Sequence, residues 1–138
     1  MRPSSTDLGL LIIRVGIGIA FIAHGLPKIT GGPEMWVKVG SAMQYVGINF
    51  GHVVWGFLAS FAETFGALFL ILGVLFRPAC AMLAFTMLIA MIFHLMNGDG
   101  FNGASHAIES MIVFIGLGIS GSGFYSLIKP KKKGYYKI

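Results

Sequence analysis

Six ionisable side chains stand inside strongly apolar runs. Arg14, His24 and Lys28 fall in "RVGIGIAFIAHGLPKI", Glu63 in "FAETFGALFLILGVLFRPAC", His94 in "IFHLMNG" and Glu109 in "HAIESMIVFIGLGI". Imidazole donates and accepts hydrogen bonds and changes charge near neutral pH. A carboxylate beside it can take up or return a proton. Arginine and lysine hold negative charge in place. Such a set can bind a polar ring, move protons or ligate an ion. It can also do nothing but pair internally and fix helices against one another.

The elements that carry these residues follow from composition. The chain has 138 residues, 56% of them hydrophobic and only 11% charged. A soluble domain is nearer ~45–50% apolar and ~25% charged. Four apolar runs cover about residues 8–29, 53–76, 79–96 and 105–127. Each is close to the ~20 residues that cross a ~30 Å hydrocarbon core. The predicted fold is therefore an all-α membrane protein, a four-transmembrane-helix bundle forming a single domain over residues 1–138. Pro78 in "FRPAC" suits the first turn of the third helix. "NGDGFNGAS" reads as a turn before the fourth and lacks the spaced acids of a calcium loop. In the first connection, Met35, Val39, Met43 and Val46 keep helical spacing, with Trp36 and Tyr45 beside them. That pattern predicts a short amphipathic helix in the first, outer loop.

The net charge of +5 is concentrated at one end, with Lys129, Lys131, Lys132, Lys133 and Lys137 in the last ten positions. The basic tail 129–138 reads as a cytoplasmic flank drawn to anionic lipid, not as a nucleic-acid surface. Four crossings put both termini on one side, together with Arg2 and Arg77. Lys28 and Lys38 lie on the other. Both termini are thus predicted to be cytoplasmic. The single cysteine, Cys80, excludes an intramolecular disulfide and a Cys-x-x-Cys shuttle, and reads as packing. The first apolar run is too long for a secretory signal peptide, and no small-residue cleavage site follows it.

A rise of 1.5 Å per residue converts positions into depths. On that scale His24 lies ~8 Å, His94 ~3 Å and Glu109 ~6 Å below the outer surface. Glu63 lies at ~15 Å and Arg14 ~6 Å deeper. The expectation is a cluster of His24, His94 and Glu109 in one leaflet, and an Arg14–Glu63 ion pair at mid-depth. Lys28, at the outer end, can be explained by snorkelling. His52 and His106 read as interfacial. Small residues around Glu63, and the stripe of His106, Glu109, Val113, Gly116 and Ser120, turn polar faces inward.

At these residues the sequence resembles the DoxX family of small four-helix bacterial membrane proteins. The resemblance rests on the stretches quoted above, in that order and spacing, and on "GSGFYSLI" near the end. Ile128 follows the final Ser-Leu, where members often carry an aspartate. The resemblance implies a bacterial cytoplasmic (inner) membrane location. It makes Arg14, His24, Lys28, Glu63, His94 and Glu109 candidate site residues. Some relatives are described as subunits of thiosulfate:quinone oxidoreductase, others as membrane partners in thiol or oxidative-stress systems.

Three functions are compatible with these residues. In the first, the protein is a quinone-linked oxidoreductase subunit. His24 or His94 would bind a quinone carbonyl and Glu63 or Glu109 would pass protons, while Arg14 and Lys28 would stabilise negative charge. Electrons would come from a redox partner subunit or a bound donor. In the second, His24 and His94 ligate a haem iron, or a metal together with Glu109 and His106. In the third, the protein is a non-enzymatic transporter or an assembly partner of a larger complex. No internal repeat points to transport. The 20 glycines allow close helix packing, within the bundle or in a homo-oligomer.

Overall fold

The computed structural model describes residues 2–129. The elements are α1 (Ser5–Thr30), α2 (Gly32–Gly40), a 3₁₀ segment (Ser41–Val46), α3 (His52–Phe61), a π turn (Ala62–Gly66), α4 (Ala67–Leu72), α5 (Phe76–Met96) and α6 (Gly100–Ser120). The π turn joins α3 and α4 into one span, His52–Leu72. With α1, α5 and α6 it makes four helices long and apolar enough to cross a membrane. No strand occurs among the described residues. This is the predicted all-α, four-span bundle.

Local chemistry sets the helix ends. Ser4 caps α1 by accepting from the Asp7 N–H, and the Asp7 carboxylate accepts from the Ser4 N–H. That reciprocal pair satisfies two donors that a helix start leaves open. Pro27 lies near the end of α1, Gly32 adopts φ +76°, and Pro33 opens α2. The predicted helix in the first connection is therefore present. It packs antiparallel along α3 at very short range. A Cβ on Gly40 would overlap the His52 carbonyl, and one on Gly56 would overlap the Trp36 carbonyl. Only glycine lets the two backbones come so close.

Several boundaries differ from expectation. The first span begins at Ser5, not 8, the second ends at Leu72, not 76, the third begins at Phe76, not 79, and the fourth is Gly100–Ser120, not 105–127. The connection between them is tight, with the Asp99 N–H bonded to the His94 carbonyl at 3.0 Å, so α6 starts early. Gly121, at φ +88°, then stops it.

Past that stop the chain folds back on the bundle. The Phe124 N–H donates to Asp7 Oδ1 at 2.8 Å, and the Leu127 N–H to the Leu72 carbonyl at 3.0 Å. Arg14 donates to the Ser122 carbonyl at 2.6 Å and to that of Tyr125. Both ends of the described chain thus meet at one end of the bundle. The basic tail beyond Lys129 lies outside the described residues.

These contacts overturn the expected Arg14–Glu63 pair. Arg14 is 1% exposed, and no carboxylate is among its bonded partners. It lies level with Gly73, where an added Cβ would sit 2.7 Å from Arg14 Nη1. Glu63 is ten residues earlier in the same span, about 15 Å away along the axis. What answers the guanidinium is a pair of backbone carbonyls, those of Ser122 and Tyr125, in the segment that follows α6.

The core is built from Phe21, Leu70, Cys80, Leu83, Phe114 and Leu117, with Cys80 only 2% exposed, as its packing role predicts. Ile12, Ile19, Phe85, Ile112 and Ile119 point outward, giving the spans an apolar exterior.

Candidate functional site

The polar centre of the bundle is built around Gly25. A Cβ there would lie 2.6 Å from Thr64 Oγ1 and 2.7 Å from the Glu63 carbonyl carbon, so α1 touches the π turn backbone at this level. Lys28 lies one turn further along α1. Side chains on a helix lean toward its N-terminus, which carries Lys28 back to Glu63. Its Nζ reaches Glu63 Oε2 at 2.6 Å. The Glu63 side chain is 4% exposed and that of Lys28 34%. The expected snorkelling of Lys28 gives way to this inward ion pair.

Glu63 is aimed by the π turn. The wider turn is a geometry frequently found at functional sites. Local hydroxyls bond carbonyls of the helix that leads into it: Thr64 Oγ1 donates to the Ser60 carbonyl at 2.9 Å and Ser60 Oγ to that of Gly56 at 2.7 Å. Trp36 Nε1 donates to the Lys28 carbonyl at 3.1 Å, tying α2 to the end of α1.

The pair lies between two cavities and lines both. The larger, about 620 Å³, runs between α2, the 3₁₀ segment, α3 and α5. Its walls are apolar, with Met35, Met43, Trp55, Phe61, Phe85 and Phe93 among them, and its charged members are Lys28, Lys38 and Glu63. The smaller, about 130 Å³, is lined by His24, His94 and His106 together with Phe21, Lys28 and Glu63. There the His24 and His106 rings lie 5.3 Å apart, and Phe21 stacks on His106 at 5.8 Å. His94 Nδ1 is 2.7 Å from Asp99 Oδ2, a carboxylate that orients the ring.

Of the six candidates, four line this paired site: His24, Lys28, Glu63 and His94. Arg14 lies at the opposite end. Glu109 does not join His24 and His94. It is exposed, and lines neither cavity. The buried stripe of α6 is Ala107, Ser110, Phe114 and Leu117, and Glu109 sits ~100° round from Ser110. The sequence reading takes His106 as interfacial, or as a metal ligand in one alternative, and misses Asp99. The signal for His106 was its place nearly two turns into α6, opposite His24. Among the described residues, no group of three or more His, Cys, Asp or Glu could hold a metal ion.

These features define a class: a small multi-pass helical membrane protein whose charged interior residues converge on a cleft at one end. The chain belongs to the DoxX family, whose model matches residues 9–96. That range runs from α1 to the end of α5 and includes Lys28, Glu63, His24 and His94. His106 and Asp99 lie beyond it. Neither the curated proteins nor the solved structures gave a match.

Proposed function

We propose that this protein is a quinone-binding membrane subunit of an oxidoreductase, with the larger cavity as the quinone site. The observation that carries the reading is an apolar cavity of about 620 Å³ that includes the Lys28–Glu63 pair, its carboxylate buried, in its lining. That volume suits a ring with part of its tail, since small-molecule sites span roughly 300–1,000 Å³. The residues fit the group. The Lys28 ammonium has three donors and can serve a ring carbonyl, and the Glu63 carboxylate can hold or release a proton. A bound quinone would supply two-electron redox chemistry. The chain itself would bind and orient the ring, exclude water with Trp55, Phe61 and Phe93, and hold a proton at Glu63.

The single Cys80 offers no dithiol, so this reading takes electrons from a redox partner subunit. It places the protein in the bacterial cytoplasmic membrane. Both termini face the cytoplasm, because Arg2, Arg77 and Lys129 gather at the end where residues 121–129 fold back.

The test is titration of the purified protein with short-chain ubiquinone and menaquinone, following tryptophan fluorescence, since Trp55 lines the cavity. Saturable quenching is expected, weakened about tenfold, or ~1.4 kcal/mol, in Lys28→Met. Absence of saturable quenching by either quinone overturns the reading.

A further inference from the structure

The smaller cavity is too small for the ring proposed next door, yet it reaches the same ion pair. Three of its walls carry imidazoles from three helices: His24 on α1, His94 on α5 and His106 on α6. Packing alone does not ask for imidazole on three walls of one cavity. A void of about 130 Å³ has room for several waters. Lined with donors and acceptors, it is polar enough to keep them.

The ionisable groups around it differ in exposure. Asp99 and His94 stand at the short turn between α5 and α6, with side chains 38% and 37% exposed. His24 and His106, themselves exposed, face one another across the cavity at 5.3 Å between ring centroids. Lys28 and Glu63 line the cavity with them, and the Glu63 side chain is 4% exposed. These six are the ionisable groups that meet around the void, from α1, the π turn, α5, α6 and the turn before α6. The group leads from exposed and half-exposed imidazoles at the cavity's rim to a buried carboxylate that also lines the larger cavity.

We infer that this cavity is a proton route connecting the α5–α6 turn with Glu63. The inference rests on the proposed quinone site only for its purpose, namely delivery of protons to, or their removal from, the larger cavity. A proton taken up at the entrance passes to His94, whose ring Asp99 holds in place. It crosses His24, His106 and intervening water, and arrives on a Glu63 oxygen. As each imidazole takes up a proton at one nitrogen it releases another from the opposite nitrogen, so no net charge stays on the rings. Glu63 becomes the neutral acid, and Lys28 keeps its charge.

The experiment is a light-triggered pH jump on the full-length protein in lipid vesicles, read by time-resolved infrared spectroscopy. The Glu63 carboxylic C=O band is assigned by its loss in Glu63→Gln. His106→Ala and His24→Gln are each expected to slow the appearance of that band about tenfold or more, while its final amplitude stays unchanged. Free imidazole added to His106→Ala should restore most of the rate, an effect that a merely packed ring does not predict. Unaltered rates in both variants overturn the proposal. So does the lack of any Glu63 band across the jump, or a slowed rate that imidazole leaves as it is. The quinone titration is read separately. Normal rates in the His variants with intact quenching remove the route and leave the quinone site. Slowed rates without quenching do the reverse.

Discussion

Lys28 Nζ lies 2.6 Å from Glu63 Oε2, and this one contact borders both cavities of the bundle. It joins α1 to the π turn at the level where Gly25 lets the two backbones meet. Removing one partner of a buried pair leaves the other charge uncompensated, at about 3–5 kcal/mol when both are fully buried. Because the Lys28 side chain is a third exposed, Lys28→Met should cost less, about 2 kcal/mol. The double variant Lys28→Met/Glu63→Leu should recover most of that loss. Thermal melts in detergent would show it; a double variant less stable than either single one contradicts the assigned pair.

Arg14 should matter for a different reason. It ties the Ser122 and Tyr125 carbonyls to α1. Arg14→Met is expected to release residues 122–127 and cost about 2–4 kcal/mol, through buried acceptors left unmet. Arg14→Lys should be intermediate, because an ammonium lacks the planar fork. Amide hydrogen exchange at Phe124 and Leu127 would report the release. Glu63→Gln should leave those amides as protected as before.

The close approach of α2 and α3 gives a third test. Gly56→Ala forces a methyl against the Trp36 carbonyl. The helices must part, at about 1–3 kcal/mol for overpacking. Since α2 and α3 form walls of the larger cavity, quinone-dependent quenching should weaken along with the melting temperature. Full quenching in a destabilised Gly56→Ala would show that this wall is dispensable.

Glu109 provides the contrast. It is exposed and lines neither cavity. Glu109→Gln should change stability by no more than about 0.5 kcal/mol. It should also leave the infrared pH-jump rate and the quinone titration unaltered. A slowed rate in this variant would return Glu109 to the site.

The fold was legible because run length and apolarity alone decide that four segments cross a bilayer. Much of the site was legible too. His24, Lys28, Glu63 and His94 are costly in lipid, so their presence in apolar runs points inward. The partners were not legible, for a geometric reason. Counting depth from each span's end assumes that all spans begin at one level. Here α2 carries the chain beyond α1 and α3 runs back alongside it, so the second span starts further out than the first one ends. Gly40 meets His52, Trp36 meets Gly56 and Gly25 meets Glu63. Glu63 therefore slides from Arg14 toward Lys28. Glu109 failed for another reason. α6 is apolar on so many faces that periodicity does not separate its buried stripe from its outer one. The acceptors of Arg14 are backbone carbonyls, which no side-chain pattern announces.

The fold-back of residues 121–129 sets an order for biogenesis. The Ser122 carbonyl follows Arg14 by 108 residues in the chain. At ~5–20 residues per second, the ribosome needs roughly 5 to 20 s to make that stretch. Throughout that interval the first helix carries a guanidinium whose native acceptors do not yet exist. A nascent chain arrested before Ser122 holds an unmet cation in its first span, which marks it for retention at the insertion machinery or for proteolysis. Completion of the segment that follows the last helix is thus what satisfies the guanidinium of the first.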